Sequence, residues 1–340
     1  MDLQLTIPSK LEPGDKVMLI SPSSGLAGLV PHRVKRAVEA LNNLGLEAVI
    51  APNALVTGDY TAGTIAERVA DIHLAFSDKS VKGVIAMIGG NHSAQLLKYI
   101  DWKLVKNNPK IFMGYSDLTV LHYALMTQAG LATYYSVCAL TQLAEFPSMH
   151  EFTLYYLKNQ VCTHPSDNFS LKPAEFYTDE VLNWFTKADT KRPRNTNPSN
   201  WRWLKEGSSS GLILGGSLIS LFHLIGTKYW INPQNAIFFL DIPPGNGLGN
   251  SLPIDMIDAL LTDLDNMNLF DQISGLIFSK APHGNLEYEE KVIELIKKFT
   301  HSKDYPVVYG VELGHTDPLA TIRLGQRVKV DSKLNAILFS

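Results

Sequence analysis

Lys110-Ile-Phe-Met-Gly-Tyr-Ser-Asp-Leu-Thr119 is the stretch on which the fold turns. Its apolar residues 111–113 read as the core of a strand, and residues 118–127 read as a helix. Only Gly114, Tyr115, Ser116 and Asp117 stand between the two. The same alternation repeats upstream. Strands are expected at residues 16–20 (KVMLI), 46–50 and 83–88 (GVIAMI), and helices at about 31–44, 64–76 and 94–100. A further strand follows at 131–135. In the helices, Val34, Val38, Leu41 and Leu44, and then Ile65, Val69, Ile72 and Phe76, recur three or four apart and share one face. Continuously apolar strands alternating with such helices imply a parallel sheet covered on both faces. Ligands of such sheets gather at the carboxyl ends of the strands, which directs attention to the residues after Ile20, Ile88 and Met113.

The pattern breaks at about residues 150–203. Within that stretch, residues 187–200 (KADTKRPRNTNPSN) are polar, carry two prolines and lack any period, so they read as a loop or linker. Patterning then resumes. Helices are expected at 218–224, 254–264 and 288–299, and strands at 236–240 (AIFFL), 275–278, 307–309, 326–330 and 336–339. The helix at 288–299 carries Glu287–Lys291 and Glu294–Lys298 at the spacing that supports helices. The expected organisation is an N-terminal α/β domain (1–150), an inter-domain linker and substrate loop (151–205), and a C-terminal domain (206–340).

Composition excludes several classes. Hydrophobic residues make up 45% of the 340, enough for sizeable cores without a disulfide or metal staple. Thirty Lys and Arg against 33 Asp and Glu give a net charge of −3, which argues against nucleic-acid polymers as partners. The two cysteines, Cys138 and Cys162, form no CxxC and read as small buried apolar residues. The opening MDLQLTIPSK lacks the character of a signal peptide, and the apolar stretch 211–226 is too short and too polar to span a bilayer. The expectation is a soluble cytoplasmic protein with no membrane partner.

Four segments can carry chemistry. A serine on a tight strand-to-helix turn has its hydroxyl pushed out above the sheet, the logic of a nucleophile elbow, and Ser116 stands there; Leu118 replaces the second glycine of GxSxG. The competing reading is that Ser116 or Asp117 simply caps the helix. Gly89-Gly90-Asn91, between a buried strand and a helix, can present backbone N–H groups to an oxyanion or phosphate, or form an ordinary turn. It fits neither GxGxxG nor the P-loop, so no nucleotide cofactor is implied. His315, in Gly314-His-Thr-Asp-Pro318, is a candidate general base or a surface-loop histidine. The other nine histidines show no metal-binding spacing. Asp241, ending the strand 236–240, can orient a histidine or start the following proline turn.

Taken in order along nearly the whole chain, these segments resemble the LD-carboxypeptidase family of serine peptidases (family S66), most closely its branch of microcin C self-immunity peptidases. The resemblance rests on Gly14-Asp15-Lys16-Val17 with Ser21-Pro22-Ser23, on Ile88-Gly89-Gly90-Asn91 with Leu96-Leu97 and Ile100-Asp101, and on Pro109-Lys110-Ile111 leading into Gly114 to Thr119. Gly215-Gly216 with Leu218 and Gly226-Thr227, and finally Gly314-His315-Thr316, complete it. It implies an α/β fold: an N-terminal Rossmann-like or flavodoxin-like parallel sheet with helices on both faces, then a C-terminal α/β domain with a small β-barrel-like sheet. It further implies Ser116 as nucleophile, His315 as base, and backbone N–H groups near Gly90 and Asp117 as oxyanion donors, in a homodimer needing no cofactor or metal. The family's third member is a glutamate; here the matching position is Asp241, one methylene shorter. A one-residue slip would put Leu240 there instead, and Glu312 and Asp317 stand as substitute acids. Tyr134-Tyr135-Ser136-Val137 replaces the family's usual Tyr-Gly-Pro, a change expected to reshape the pocket near Ser116, and Arg323 replaces a proline. The implied substrate is an aminoacyl- or peptidyl-nucleotide of the microcin C type, with the alternative of a murein tetrapeptide losing D-alanine. A third alternative is a binding protein with a degraded triad. Tyr177-Thr-Asp-Glu-Val-Leu-Asn-Trp184 reads either as an aromatic loop whose Trp184 stacks on a base or as a partly buried amphipathic turn.

Overall fold

The apolar runs at the start of the chain become strands because both of their faces are covered. The computed structural model describes residues 3–162, 169–247 and 249–340. Its first sheet contains β1 (Lys16–Ile20), β2 (Glu47–Ile50), β3 (Val81–Ala86), β4 (Ile111–Gly114) and β5 (Tyr134–Tyr135). These five run parallel in the order β2-β1-β3-β4-β5. Only β2, at the edge, is poorly covered. The connecting helices α1 (Pro31–Asn43), α2 (Ile65–Ser77), α3 (Trp102–Lys106) and α4 (Thr119–Ala124) supply the covering layers. α1 turns Val34, Ala37 and Leu41 inward, and α2 turns Val69, Ile72 and Phe76 inward. Thr64 and Glu67 close the start of α2 with a reciprocal capping box. The strand order reverses between β1 and β3, and the loops leaving these strands meet at the carboxyl edge of the sheet, where ligands of such folds gather.

After α5 (Glu151–Val161), the chain builds a second sheet around a sharply bent strand. The strands are β6 (Ser170–Leu171), a small hairpin of β7 (Phe176–Tyr177) and β8 (Asn197–Pro198), then β9 (Arg202–Lys205) and β10 (Ser208–Ser217). Next come α6 (Leu218–Leu221), β11 (Ile237–Asp241), α7 (Ile254–Asn266), α8 (Leu269–Gln272), β12 (Gly275–Ser279), α9 (Leu286–Thr300) and β13 (Val307–Val311). The chain ends with β14 (Ile322–Arg323), β15 (Arg327–Asp331) and β16 (Ala336–Phe339). Eight strands join in the order β6-β16-β15-β10-β11-β12-β13-β9. The first half of β10 pairs antiparallel with β15 and its second half pairs parallel with β11, which curls the sheet into a half-barrel. β14 leaves this sheet and adds antiparallel to β5, stitching the end of the chain to the first sheet. The expected fold class is therefore the observed one.

Several local expectations need correction. No element is expected at 151–161 from the sequence pattern, yet α5 lies there and buries Tyr156, Leu157 and Val161. The helix expected at 94–100 is only a 3-10 turn over Ser93–Leu96. The one expected at 118–127 is α4 followed by a wider π turn over Leu125–Ala129. Residues 208–217 carried no expected element, because seven of the ten residues of β10 are serine or glycine, types poor in strands. Tertiary contact explains the choice. At Gly215 (φ +137°) a Cβ would lie 1.9 Å from the carbonyl oxygen of Phe239 on the neighbouring strand. Gly226 has φ +76° but faces open space. Gly215→Ala is expected to cost at least about 2 kcal/mol in urea unfolding, and Gly226→Ala about 1 kcal/mol from backbone strain alone. Equal losses would refute the close-approach argument.

Candidate active site

The loops leaving β1, β3 and β4 are locked together before any ligand enters. Gly90 packs on Ser23, whose hydroxyl accepts from the His92 amide at 3.0 Å. The carboxylate of Asp117, fully buried, accepts from the amides of His92 and Ser93, each at 2.9 Å, and from the Ser93 hydroxyl at 2.7 Å. The Asp117 side chain is thus a brace between two loops, and only its backbone N–H is left for the oxyanion role expected of it. That nitrogen lies 3.4 Å from where a Cβ on Gly89 would stand, beside Ser116.

Ser116 holds φ +64°, a left-handed conformation costing roughly 1–2 kcal/mol for a residue with a side chain. Its side chain does not cap the following helix. Instead Oγ lies 2.9 Å from Nε2 of His315. On the other side of the ring, Nδ1 lies 3.0 Å from each carboxylate oxygen of Asp241. Since a carboxylate only accepts, Nδ1 carries a proton toward Asp241 and Nε2 is left to accept from the serine hydroxyl. Asp241 is fully buried at the end of β11, and Ser279 donates to its Oδ1 at 3.2 Å. Gly314 allows the approach: a Cβ there would lie 2.2 Å from Asp241 Oδ1. The backbone beside His315 presses against the shorter acid, which meets the one-methylene deficit.

The other acids are otherwise engaged. Glu312 accepts from the Trp201 indole N–H at 2.8 Å and the Ala174 amide at 3.0 Å, and its burial raises its pKa. Asp317 bonds Gln142 at 2.8 Å and pairs with Arg194. Burial works against the charge on Asp317, but Arg194 and Gln142 outweigh it and hold the carboxyl below its usual range. Arg323 pairs with Tyr134 across β14 and β5, and nothing in the structure connects it to the site. Among the described residues, no group of three His, Cys, Asp or Glu is placed to hold a metal ion.

Two cavities meet at His315, sharing Ile88, Tyr115 and Thr141 as walls, and Ser116 lines one of them. One, of about 410 Å³, is lined by Gly89, Gly90, Asn91, Ser217 and Pro243. Asn91 there lies 2.9 Å from His223 through its Oδ1. The other, of about 190 Å³, is lined by Trp184, Arg33, Glu145 and Arg194. The guanidinium of Arg33 stacks 4.0 Å from the centre of the Trp184 ring. Arg33 also bonds Asp189 at 2.6 Å and the Leu140 carbonyl at 2.7 Å, and burial pushes its pKa down to about 10. Arg36 pairs with the same Asp189, and Arg194 pairs with Glu145 and Asp317. The polar stretch read as a linker is therefore folded down as a cavity wall. Sequence reasoning missed Arg33 and Arg194, whose carboxylate partners lie 49 to 156 residues away. It also missed Tyr115, whose ring meets His315 edge-on at 5.1 Å. Tyr135 was noted only as a departure, yet its hydroxyl donates to Asp241 Oδ2 at 2.5 Å and accepts from the Ser116 amide at 3.2 Å.

Two family models match the chain: the LD-carboxypeptidase N-terminal domain over residues 17–136 and the LD-carboxypeptidase C-terminal domain over residues 210–330. The putative carboxypeptidase YocD of Bacillus subtilis (strain 168) is 29% identical over 332 residues, covering 95% of each chain. The microcin C7 self-immunity protein MccF of Escherichia coli is 26% identical over 327 residues, covering 96% of this chain and 93% of that one. The solved structure of wild-type MccF in the apo state matches with a TM-score of 0.90 at 25% identity, covering 98% of both chains. A mutant of MccF in complex with adenosine monophosphate gives 0.89 at 25% identity and the same coverage.

The helix that follows Ser116, α4, carries a pH-sensitive anchor to the strand before it. His122 is fully buried with Nε2 2.9 Å from the Gly114 carbonyl, and burial pushes its pKa down to about 4. An unfolded histidine titrates near 6.5, so the unfolded chain takes up a proton that the folded one refuses. This contribution is fully present above pH 6.5 and is lost as pH falls toward 4, by up to about 3 kcal/mol. Urea unfolding at pH 7, 5.5 and 4.5 is expected to show a shallower acid slope for His122→Gln than for the unmodified chain; identical slopes would refute this.

Proposed function

Because the chain belongs to the LD-carboxypeptidase family of peptidases, we propose that it is a serine hydrolase of amide bonds with Ser116 as nucleophile, His315 as general base and Asp241 as the orienting acid. The observation that carries this reading is the unbroken contact from Ser116 Oγ through the His315 ring to a fully buried carboxylate. His315 Nε2 takes the serine proton as Oγ attacks the carbonyl carbon. Backbone N–H groups near Gly90 and Asp117 receive the oxyanion, each such donor being worth about 10²–10³ in rate. His315 then returns the proton to the leaving amine, and water releases the acyl group from Ser116. The close contacts along this chain speak against a binding protein with a degraded triad.

For substrate, we infer an aminoacyl- or peptidyl-nucleotide. A relative across nearly the whole chain is described as a microcin C7 self-immunity protein, and a mutant of it has been solved with adenosine monophosphate. In this chain the cavity lined by Trp184 adjoins His315 and offers an aromatic face for a base. The second reading, release of terminal D-alanine from a murein tetrapeptide, is favoured by the family's own description as LD-carboxypeptidases. Among the described residues no helix is long and apolar enough to cross a membrane. The proposal includes action in the cytoplasm as a homodimer, which light scattering would register as twice the 37.6 kDa chain mass; a monomer mass would remove the dimer.

Two assays separate the substrates. Hydrolysis of an aminoacyl-sulfamoyl nucleoside is expected from the unmodified protein and to fall about 10⁴-fold in Ser116→Ala. Undiminished turnover by that variant would remove Ser116 from its role. Trp184→Ala is expected to raise KM for the nucleoside about 10-fold, in line with the ~1–3 kcal/mol of a base stacked on an aromatic ring. D-alanine release from murein tetrapeptide with no nucleoside hydrolysis would select the second reading.

A further inference from the structure

We propose that Tyr135 is a positioning residue of this site, its single hydroxyl holding the Asp241 carboxylate and the Ser116 backbone in register with each other. The inference rests on the reading of Ser116 as nucleophile. The Tyr135 side chain is fully buried and lines neither cavity at the site, so its hydroxyl acts on the site through these two partners. The direction of each hydrogen bond is forced. A carboxylate accepts and an amide N–H donates, so the phenol proton points to Asp241 Oδ2 and an oxygen lone pair receives the Ser116 N–H. Burial and the facing charge of Asp241 raise the pKa of the phenol far above its ordinary value, so it remains a donor. The ring is held edge-on against Phe239 with centroids 5.0 Å apart and lies 5.9 Å from His122.

Each partner needs this contact. Asp241 is short, and its other side-chain donors, Ser279 and His315, come from the second sheet's own strand ends. Tyr135 is the donor that reaches it from the first sheet, where Ser116 also sits. Ser116 is in a left-handed conformation that an ordinary residue avoids, and its amide is fastened to the same oxygen. One atom therefore sets the distance between the strained turn and the acid, and His315 has to fit between them. The effect is on geometry and on the charge that Asp241 presents to the imidazole. The remaining groups facing that ring are Ser116, Tyr115 and His283, with Asp179 behind His283.

The test follows labelling of Ser116 in the full chain by a fluorophosphonate. Oγ forms a bond to phosphorus, fluoride leaves, and the serine proton passes to His315. Tyr135→Phe keeps the ring and removes the hydroxyl. Labelling is expected to slow about 10- to 100-fold, the scale of one hydrogen bond to a charged group. The pH of half-maximal labelling is expected to rise, because a carboxylate with one donor fewer favours the protonated imidazole. Incorporation of 3-fluorotyrosine at position 135 keeps the shape and sharpens the donor, so the same midpoint is expected to fall. This second variant decides the matter if the phenylalanine variant does not fold. Labelling at the unmodified rate with an unmoved midpoint in either variant overturns the role of Tyr135 while leaving Ser116 as nucleophile. Absence of Ser116 labelling in the unmodified protein removes both.

Discussion

A carboxylate taken wholly out of water must find partners on every side, and Asp241 finds them in both halves of the molecule. Ser279 comes from the end of the adjacent strand β12, His315 from the loop beyond β13, and Tyr135 from the first sheet. An uncompensated buried charge costs several kcal/mol, so the two sheets are held in the one arrangement that satisfies it. The contact between Ser116 and His315 follows from that arrangement. Neither residue approaches the other along the chain, being 199 positions apart. The stitching of β14 onto β5 beside Tyr135 reinforces the same junction with backbone hydrogen bonds.

The cavity walls obey the same rule on a larger scale. Residues 187–200 have almost no apolar content to bury, yet they lie folded against the first half of the chain. Charge pairing does what hydrophobic burial cannot. Asp189 is gripped by Arg33 and Arg36, and Arg194 by Glu145 and Asp317. Burial alone would weaken such charges, and each is paired at hydrogen-bond distance. The outcome is a wall with Trp184 held against Arg33 and facing the space beside His315.

Much of this was legible beforehand. Apolar periodicity located the strands β1, β3, β4, β11 and β12 and the helices α1, α2 and α7, since a parallel sheet covered on both faces demands continuous apolar runs. It failed at β10, where close approach to the neighbouring strand excludes side chains and leaves serine and glycine. It failed again at α5, whose surroundings lacked the alternation of the first half. The residues Ser116, His315 and Asp241 were legible as candidates because each ends a strand or sits in a loop just beyond one. Which of Asp241, Glu312 and Asp317 meets the histidine was not legible, because it depends on which strand ends the second sheet brings side by side.

Sequence by itself determined most of the element types, the parallel first sheet and the short turn that carries Ser116, all of which can be read from patterns of a few neighbouring residues. Tertiary structure alone decided the acid, the bracing role of Asp117 and the position of the Tyr135 hydroxyl between Asp241 and Ser116. The physical reason is range. Periodicity and turn chemistry act over a few residues, whereas a hydrogen bond between residues 74 or 106 positions apart exists only once the chain has packed.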